Sequence, residues 1–180
     1  FFKQKTAYEI LDRDWSSDVC SSDLHLIIDS SYKEIMDCLP YHPFLLKPNE
    51  EELASWFGEI IDSEEAYLFY GQQLIKAGAQ NVLLSLGSGG AIFFSQTKII
   101  RGNSPIGKVV NTACAGDTLL GTFLAGYLTE QPLEETLRKS LAAGSSTAFR
   151  KGLTDFSDVK ELSKQIEVKE EGLKTWEIIN

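Results

Sequence analysis

The chain is poor in the residues that build metal cages and disulfide frameworks. It has three cysteines, Cys20, Cys38 and Cys114, and two histidines, His25 and His42. An odd number of cysteines without metal-type spacing reads as reduced thiols, which predicts a cytoplasmic setting. Two scattered histidines are too few for a metal cluster and read as structural. Positive charge is also scarce: 17 Lys and Arg stand against 26 Asp and Glu, a formal net charge of −9. Such an acidic surface repels nucleic acid and anionic lipid, so neither is an expected partner. Any phosphate site must then be local, made from backbone N–H groups and a few lysines. No apolar run approaches the roughly 20 residues needed to span a bilayer, and no stretch reads as a secretory signal.

What is present suits one soluble domain. The chain has 180 residues, 43% of them hydrophobic and 24% charged, enough for a real core. Residues 1–24 stand apart: Ser and Asp dominate their second half and no helical or strand period runs through them. They resemble translated sequencing-adaptor sequence and are expected to be a non-native extension, irregular in structure. From His25 onward the pattern is regular. His25–Asp29 is an apolar run ending in Asp, as in a buried parallel strand. Ser31–Leu39 reads as a short helix stopped by Pro40, and Phe44–Leu46 as the next strand. Asn49 is placed to cap a helix from Glu50 to about Phe57, and Glu64–Ala77 is a longer helix closed by Gly78. Asn81–Leu86 is a strand running into Gly87-Ser88-Gly89-Gly90. Ala91–Ser95 and Lys98–Arg101 form a hairpin about Gln96-Thr97. Helices are predicted over Leu119–Leu128, Leu133–Phe149 and Asp158–Gln165, with a polar end to the chain. Alternating strands and helices predict an α/β fold, a mainly parallel sheet with helices on both faces and ligands at the carboxyl ends of its strands.

Three segments converge on that end. In Val109-Val110-Asn111-Thr112-Ala113-Cys114-Ala115-Gly116-Asp117-Thr118, two β-branched residues lead into a small-residue turn that opens a helix. Free N–H groups at a helix start attract an anion, whereas Asp117 beside them repels one. Either Thr112 or Asp117 caps the helix, or Asp117 is a general base whose neighbouring amides hold a transferring phosphoryl group. In Lys47-Pro48-Asn49-Glu50-Glu51-Glu52, Asn49 and Glu52 share a helix face. They either form a cap or orient water around Mg²⁺, which keeps its waters and takes few protein ligands. In Ser85-Leu86-Gly87-Ser88-Gly89-Gly90, glycines follow a strand and precede another. The run is therefore neither a Walker loop nor a dinucleotide fingerprint, and reads as a hairpin turn or a nucleotide-binding edge. The small residues Ala142-Ala143-Gly144-Ser145-Ser146 permit close packing of another element or of a flat ring.

Together these motifs resemble the phosphosugar-kinase branch of the ribokinase-like (PfkB) carbohydrate kinases, nearest to the bacterial 1-phosphofructokinases. Asn111–Asp117 is similar to the Gly-Ala-Gly-Asp signature, Lys47–Glu52 to the Asn-x-x-Glu motif, Val82–Ala91 to the strand and ATP loop, and Ala143-Gly144-Ser145 to the adenine-side helix. The likeness spans about residues 25–175. It implies that Asp117 is the base and that the amides of Ala115, Gly116 and Asp117, after Cys114, form the anion hole. It implies Lys47, Ser85, Gly87, Gly90 and Gly144 around ATP, and Asn49 and Glu52 serving Mg²⁺ through water or phosphate. The implied reaction takes ATP and fructose 1-phosphate to ADP and fructose 1,6-bisphosphate, with tagatose-6-phosphate kinase as the alternative within the family. A homodimer is implied for a full-length protein. Two departures stand out. Cys114 occupies the signature's leading glycine, where a side chain crowds the phosphate or sits at strained φ if the glycine conformation is needed. The likeness also covers only the C-terminal half of the family's domain, without the glycine-rich sugar signature or the lid. The chain alone is thus expected to be inactive, at most a nucleotide-binding module, with residues 25–180 as the ATP and anion-hole side.

Overall fold

Apolar residues fill both faces of each central strand because helices cover both faces of the sheet. A computed structural model describes residues 25–172. The segment 1–24, expected to be foreign, lies outside the described residues. In order, the elements are β1 (Ile27–Ile28), a 3-10 helix (Lys33–Tyr41), β2 (Leu45–Leu46), α1 (Glu50–Phe57), α2 (Glu64–Ala77), β3 (Asn81–Ser85), a 3-10 turn (Gly87–Gly89), β4 (Ala91–Ser95), β5 (Ile99–Gly102), α3 (Ala115–Leu128), α4 (Leu133–Ala148), α5 (Val159–Ser163) and β6 (Val168–Glu171).

The strands pair in sequence order in one six-stranded sheet. Parallel pairing, predicted from the alternation, holds for β1 with β2 and for β2 with β3. The hairpin read at Gln96-Thr97 is present, and antiparallel pairing extends from β3 through β4 and β5 to β6, so the sheet is mixed. The links after β3 and β4 are too short for a parallel crossover, which needs a dozen residues or more. Side-chain parity divides the core. Val82, Leu84, Ile92 and Phe94 face α1, α2 and the 3-10 helix, packing on Leu53, Trp56, Leu68 and Leu74. Leu83, Phe93 and Ile100 face α3 and α4, packing on Leu119, Phe123, Leu137 and Leu141. Each such side chain contributes about 1.5–3 kcal/mol when fully buried.

Three elements differ from expectation. The helix expected over Ser31–Leu39 is a 3-10 helix, Lys33–Tyr41, that runs through Pro40 and ends at His42 in the left-handed region. A residue before proline avoids the α conformation, and tighter turns accommodate the ring. The helix expected from Leu119 starts at Ala115, so the Ala-Gly turn is itself the first helical turn. The chain end read as polar contains β6, whose Lys169 and Glu170 hide a strand that forms by pairing with β5. Among the described residues no helix is long and apolar enough to cross a membrane.

Candidate active site

Parallel pairing puts three strand ends in a row. Lys47 donates its N–H to the Ile28 carbonyl at 3.1 Å, and Ser85 donates to the Pro48 carbonyl at 3.0 Å. A parallel bridge between Asn49 and Ser85 extends the register past β2. Asp29, Lys47, Asn49 and Ser85 therefore lie along the carboxyl edge of the sheet, and α3 presents its N-terminus to that edge. A Cβ built on Gly116 would stand 3.3 Å from Lys47 Nζ. Lys47 is buried, and its ammonium meets Asp29 Oδ1 at 3.1 Å. Asp29 was read from sequence only as the end of a strand. An acid at the carboxyl end of a parallel strand is the signal that it belongs to the site.

The turn before α3 leaves backbone donors unused. Cys114 is its N-cap, at φ 61° and ψ 8°, and no side chain caps the helix. Thr112 and Asp117 are thus not capping residues, and the structural role left to the acid is its favourable place in the first turn of the helix dipole. The Ala115 N–H is bonded to the Thr112 carbonyl at 3.2 Å, and that of Thr118 to the Cys114 carbonyl at 2.9 Å. Among the described residues, the N–H groups of Gly116 and Asp117 have no intramolecular partner. The expected three-amide cradle is therefore two open amides, with the third turned inward. Asp117 is exposed, and its carboxylate makes no hydrogen bond or ion pair among the described residues. Two open amides at a helix start, with Lys47 Nζ near Gly116, are the kind of donor set that can receive an anion.

Asn49 and Glu52 do cap α1. Asn49 Oδ1 accepts the Glu52 N–H at 2.8 Å, and Glu52 Oε2 accepts the Asn49 N–H at 2.9 Å. This reciprocal box uses one oxygen of each residue, leaving Glu52 Oε1 for water or an ion. No group of three or more His, Cys, Asp or Glu able to hold a metal occurs among the described residues. An ion here fits only if phosphates and water supply most of its ligands, as Mg²⁺ allows.

The glycine turn folds back on itself, with the Leu86 N–H bonded to the Gly90 carbonyl at 2.8 Å. Gly90 has φ 92°, and a Cβ there would fall 1.9 Å from the Gly102 carbonyl oxygen, so only glycine fits. Gly87 faces α1, with Glu50 Oε2 at 3.9 Å from where its Cβ would be. The Ser85 hydroxyl donates to the Pro48 carbonyl at 3.3 Å and so ties two strand ends together. Gly144 is buried, and a Cβ there would stand 3.1 Å from the Ala115 carbonyl and 3.2 Å from Leu119 Cβ. It supports the α3 turn from behind. Two surface clefts, of about 730 and 460 Å³, lie elsewhere, and none of the sequence-predicted site residues lines either. Lys47 and Gly116 meet at the edge, as do Asn49 and Ser85, whereas Gly90 packs against Gly102 and Gly144 lies behind the α3 turn.

Residues 16–160 match the family described as pfkB family carbohydrate kinase, and the chain belongs to that family. Among curated relatives it is 43% identical over 146 residues to a D-tagatose-1-phosphate kinase of Bacillus licheniformis, covering 81% of this chain and 48% of the relative. It is 36% identical over 143 residues to the 1-phosphofructokinase of Bacillus subtilis, covering 79% of this chain and 47% of the relative. The phosphofructokinase-2 of Escherichia coli, solved with substrates and products, superposes with a TM-score of 0.72 at 26% identity, over 78% of this chain and 47% of that one. Ribokinase of Arabidopsis thaliana, solved with ribose and ATP, gives 0.67 at 30% identity, over 78% and 48%. The chain spans about half the length of the curated relatives it matches. The α/β ribokinase-like fold is shared throughout that half.

Proposed function

We propose that this chain is the nucleotide- and phosphoryl-handling part of a kinase that transfers phosphate from ATP to a sugar phosphate. The observation that carries this reading is the pair of open amides at Gly116 and Asp117, beside an exposed Asp117 without a partner and the buried Lys47. Asp117 takes the proton of the acceptor hydroxyl. The amides of Gly116 and Asp117 donate to the phosphoryl oxygens as charge builds on them, and such donors are each worth about 10²–10³ in rate elsewhere. Lys47 offsets the repulsion between Asp117 and the incoming phosphates. Ser85, Gly87 and Gly90 form the nucleotide edge, and Gly144 holds α4 against the turn. Asn49 and the open Glu52 Oε1 orient the water or phosphate around Mg²⁺, which when bound would neutralise phosphate charge.

Fructose 1-phosphate, giving fructose 1,6-bisphosphate, is the preferred acceptor. The tagatose phosphate named for one relative carries its phosphate at C1, where tagatose 6-phosphate was the expected alternative. A coupled ADP-release assay on a full-length kinase that contains this half, with fructose 1-phosphate, tagatose 1-phosphate and tagatose 6-phosphate, separates the three. In whichever is turned over, Asp117→Ala lowers kcat by at least about 10², the low end for loss of a general base. Near-normal turnover removes Asp117 from the chemistry. One observation favours a second reading for the chain alone: none of its site residues lines either of the two clefts described. Positioning supplies much of the rate in phosphoryl transfer, so this chain by itself binds nucleotide without turnover. Calorimetry showing ATP binding, together with an absent ADP signal, supports that reading.

A further inference from the structure

The turn that bears the open amides contains a non-glycine residue in the left-handed region, so something outside the turn must hold it there. The hydroxyl of Thr118 donates to the Cys114 carbonyl at 2.9 Å and lies 3.1 Å from Thr147 Oγ1 on α4. Thr147 Oγ1 accepts the Thr154 N–H at 3.1 Å. Each hydroxyl has one proton, which fixes the direction of the chain. Thr118 spends its proton on Cys114, so Thr147 must spend its own on Thr118 while accepting from Thr154. A second branch leaves the same residue. Thr154 Oγ1 accepts the Phe156 N–H at 2.9 Å and lies 2.7 Å from Ser146 Oγ, which donates to Asp158 Oδ1 at 2.5 Å. Arg150 clamps Asp158 Oδ2 at 2.7 Å. Thr147 and Ser146 are buried, at 1% and 0% exposure, so the middle of the chain of bonds is shielded while its Cys114 end faces solvent. Hydrogen bonds aligned head to tail in this way reinforce one another.

We propose that Thr118, acting through Thr147, is a positioning residue that locks the strained Cys114 turn and so aims the Gly116 and Asp117 amides at a bound phosphate. The proposal rests on the phosphoryl-binding role given to that turn. An isolated back-bond from a helical threonine to the carbonyl four residues earlier is commonplace. Here its acceptor is the carbonyl of the strained residue, and its oxygen is in turn anchored from the Thr154 segment through α4.

The test uses the 180-residue chain with Thr118→Val and Thr147→Val, which keep shape and lose the hydroxyl, and Thr118→Ser, which keeps the hydroxyl. Hydrogen exchange is read at the Ala115 and Thr118 amides, both bonded within the turn, with amides of α2 as the control for global unfolding. MgATP affinity is measured by calorimetry on the same samples. The expected result is exchange at least tenfold faster at Ala115 and Thr118 in both valine variants, unchanged exchange in α2, an ATP affinity weakened about tenfold, and Thr118→Ser close to the parent. Unchanged exchange at the turn overturns the proposal, as does faster exchange with undiminished ATP affinity. A parent chain that binds no ATP refutes the phosphoryl-binding reading instead, and the exchange arm still decides whether the hydroxyls hold the turn.

Discussion

Replacing Cys114 with glycine should make the protein more stable. A residue with a Cβ at φ 61° and ψ 8° sits where only glycine is comfortable. The left-handed conformation costs such a residue about 1–2 kcal/mol. Glycine removes that cost and adds a smaller one, about 0.5–1 kcal/mol, because the unfolded chain gains freedom. The Cys114 side chain is exposed, not disulfide-bonded, and does not cap α3, so little else is lost. The net gain is about 0–1.5 kcal/mol, centred near 0.75 kcal/mol. For a chain of this size the central value corresponds to a melting point roughly 1.5–3 °C higher. Cys114→Ala is the control, since it removes the thiol and keeps the strain, and its stability should stay within about 0.5 kcal/mol of the parent. Urea unfolding followed by circular dichroism reads all three proteins. If the glycine variant is no more stable than the alanine variant, the turn is not strained and the need for the Thr118–Thr147 lock disappears.

The remaining predictions concern the cap, the glycine turn and an acid-sensitive cluster. Glu52→Gln keeps an acceptor for the Asn49 N–H, so stability should change by less than about 0.5 kcal/mol, whereas Asn49→Ala should cost about 1 kcal/mol. If Glu52 also serves Mg²⁺, the glutamine variant requires more Mg²⁺ for ATP binding in calorimetry, and an unchanged Mg²⁺ dependence limits it to a cap. Gly90→Ala should cost at least about 2 kcal/mol in urea unfolding, because its methyl would meet the Gly102 carbonyl and its φ is positive. Burial raises the Asp158 pKa, but bonds from Ser146 and Arg150 outweigh it and hold the carboxyl below the usual range. Asp155 is likewise held below the usual carboxylate range, by the Ser157 hydroxyl and amide and by Arg150. With folded values below unfolded ones, the unfolded chain binds more protons. The stability from these two carboxyls is then complete above about pH 5 and drains away as pH falls through the ordinary carboxylate range. Arg150→Gln should flatten that acid limb in melting curves taken from pH 6 to pH 2, and an equally steep limb refutes the linkage.

Local chemistry made much of this structure legible in the sequence. The run Asn81–Leu86, the Asn49 cap and the Gly78 stop act over a few residues, and the elements they predict are present. The strain at Cys114 was implied by the family resemblance, because Cys114 stands at the signature's leading glycine, and the backbone there is left-handed. The features that escaped depend on partners far along the chain. Asp29 meets Lys47 across 18 positions because two parallel strands end side by side, which no local period encodes. Thr118 meets Thr147 only because Gly144 lets α4 approach the α3 turn closely. The strand β6 has no apolar period of its own and exists because β5 offers it an edge. Whether Asn49 and Glu52 formed a cap or a metal-orienting pair could not be separated by spacing alone, since both uses need the same two residues three apart.

The open amides of α3 are the proposed place where phosphate binds. Titrating the isotopically labelled chain with MgATP and following its amide resonances tests this directly. The Gly116 and Asp117 amides should show the largest shifts, with Gly87 and Gly90 moving in step, and Asp117→Asn should bind at least as tightly because a repelling charge is gone. Shifts confined to the cleft between α3, α4 and α5, with Gly116 and Asp117 unmoved at saturation, would contradict it.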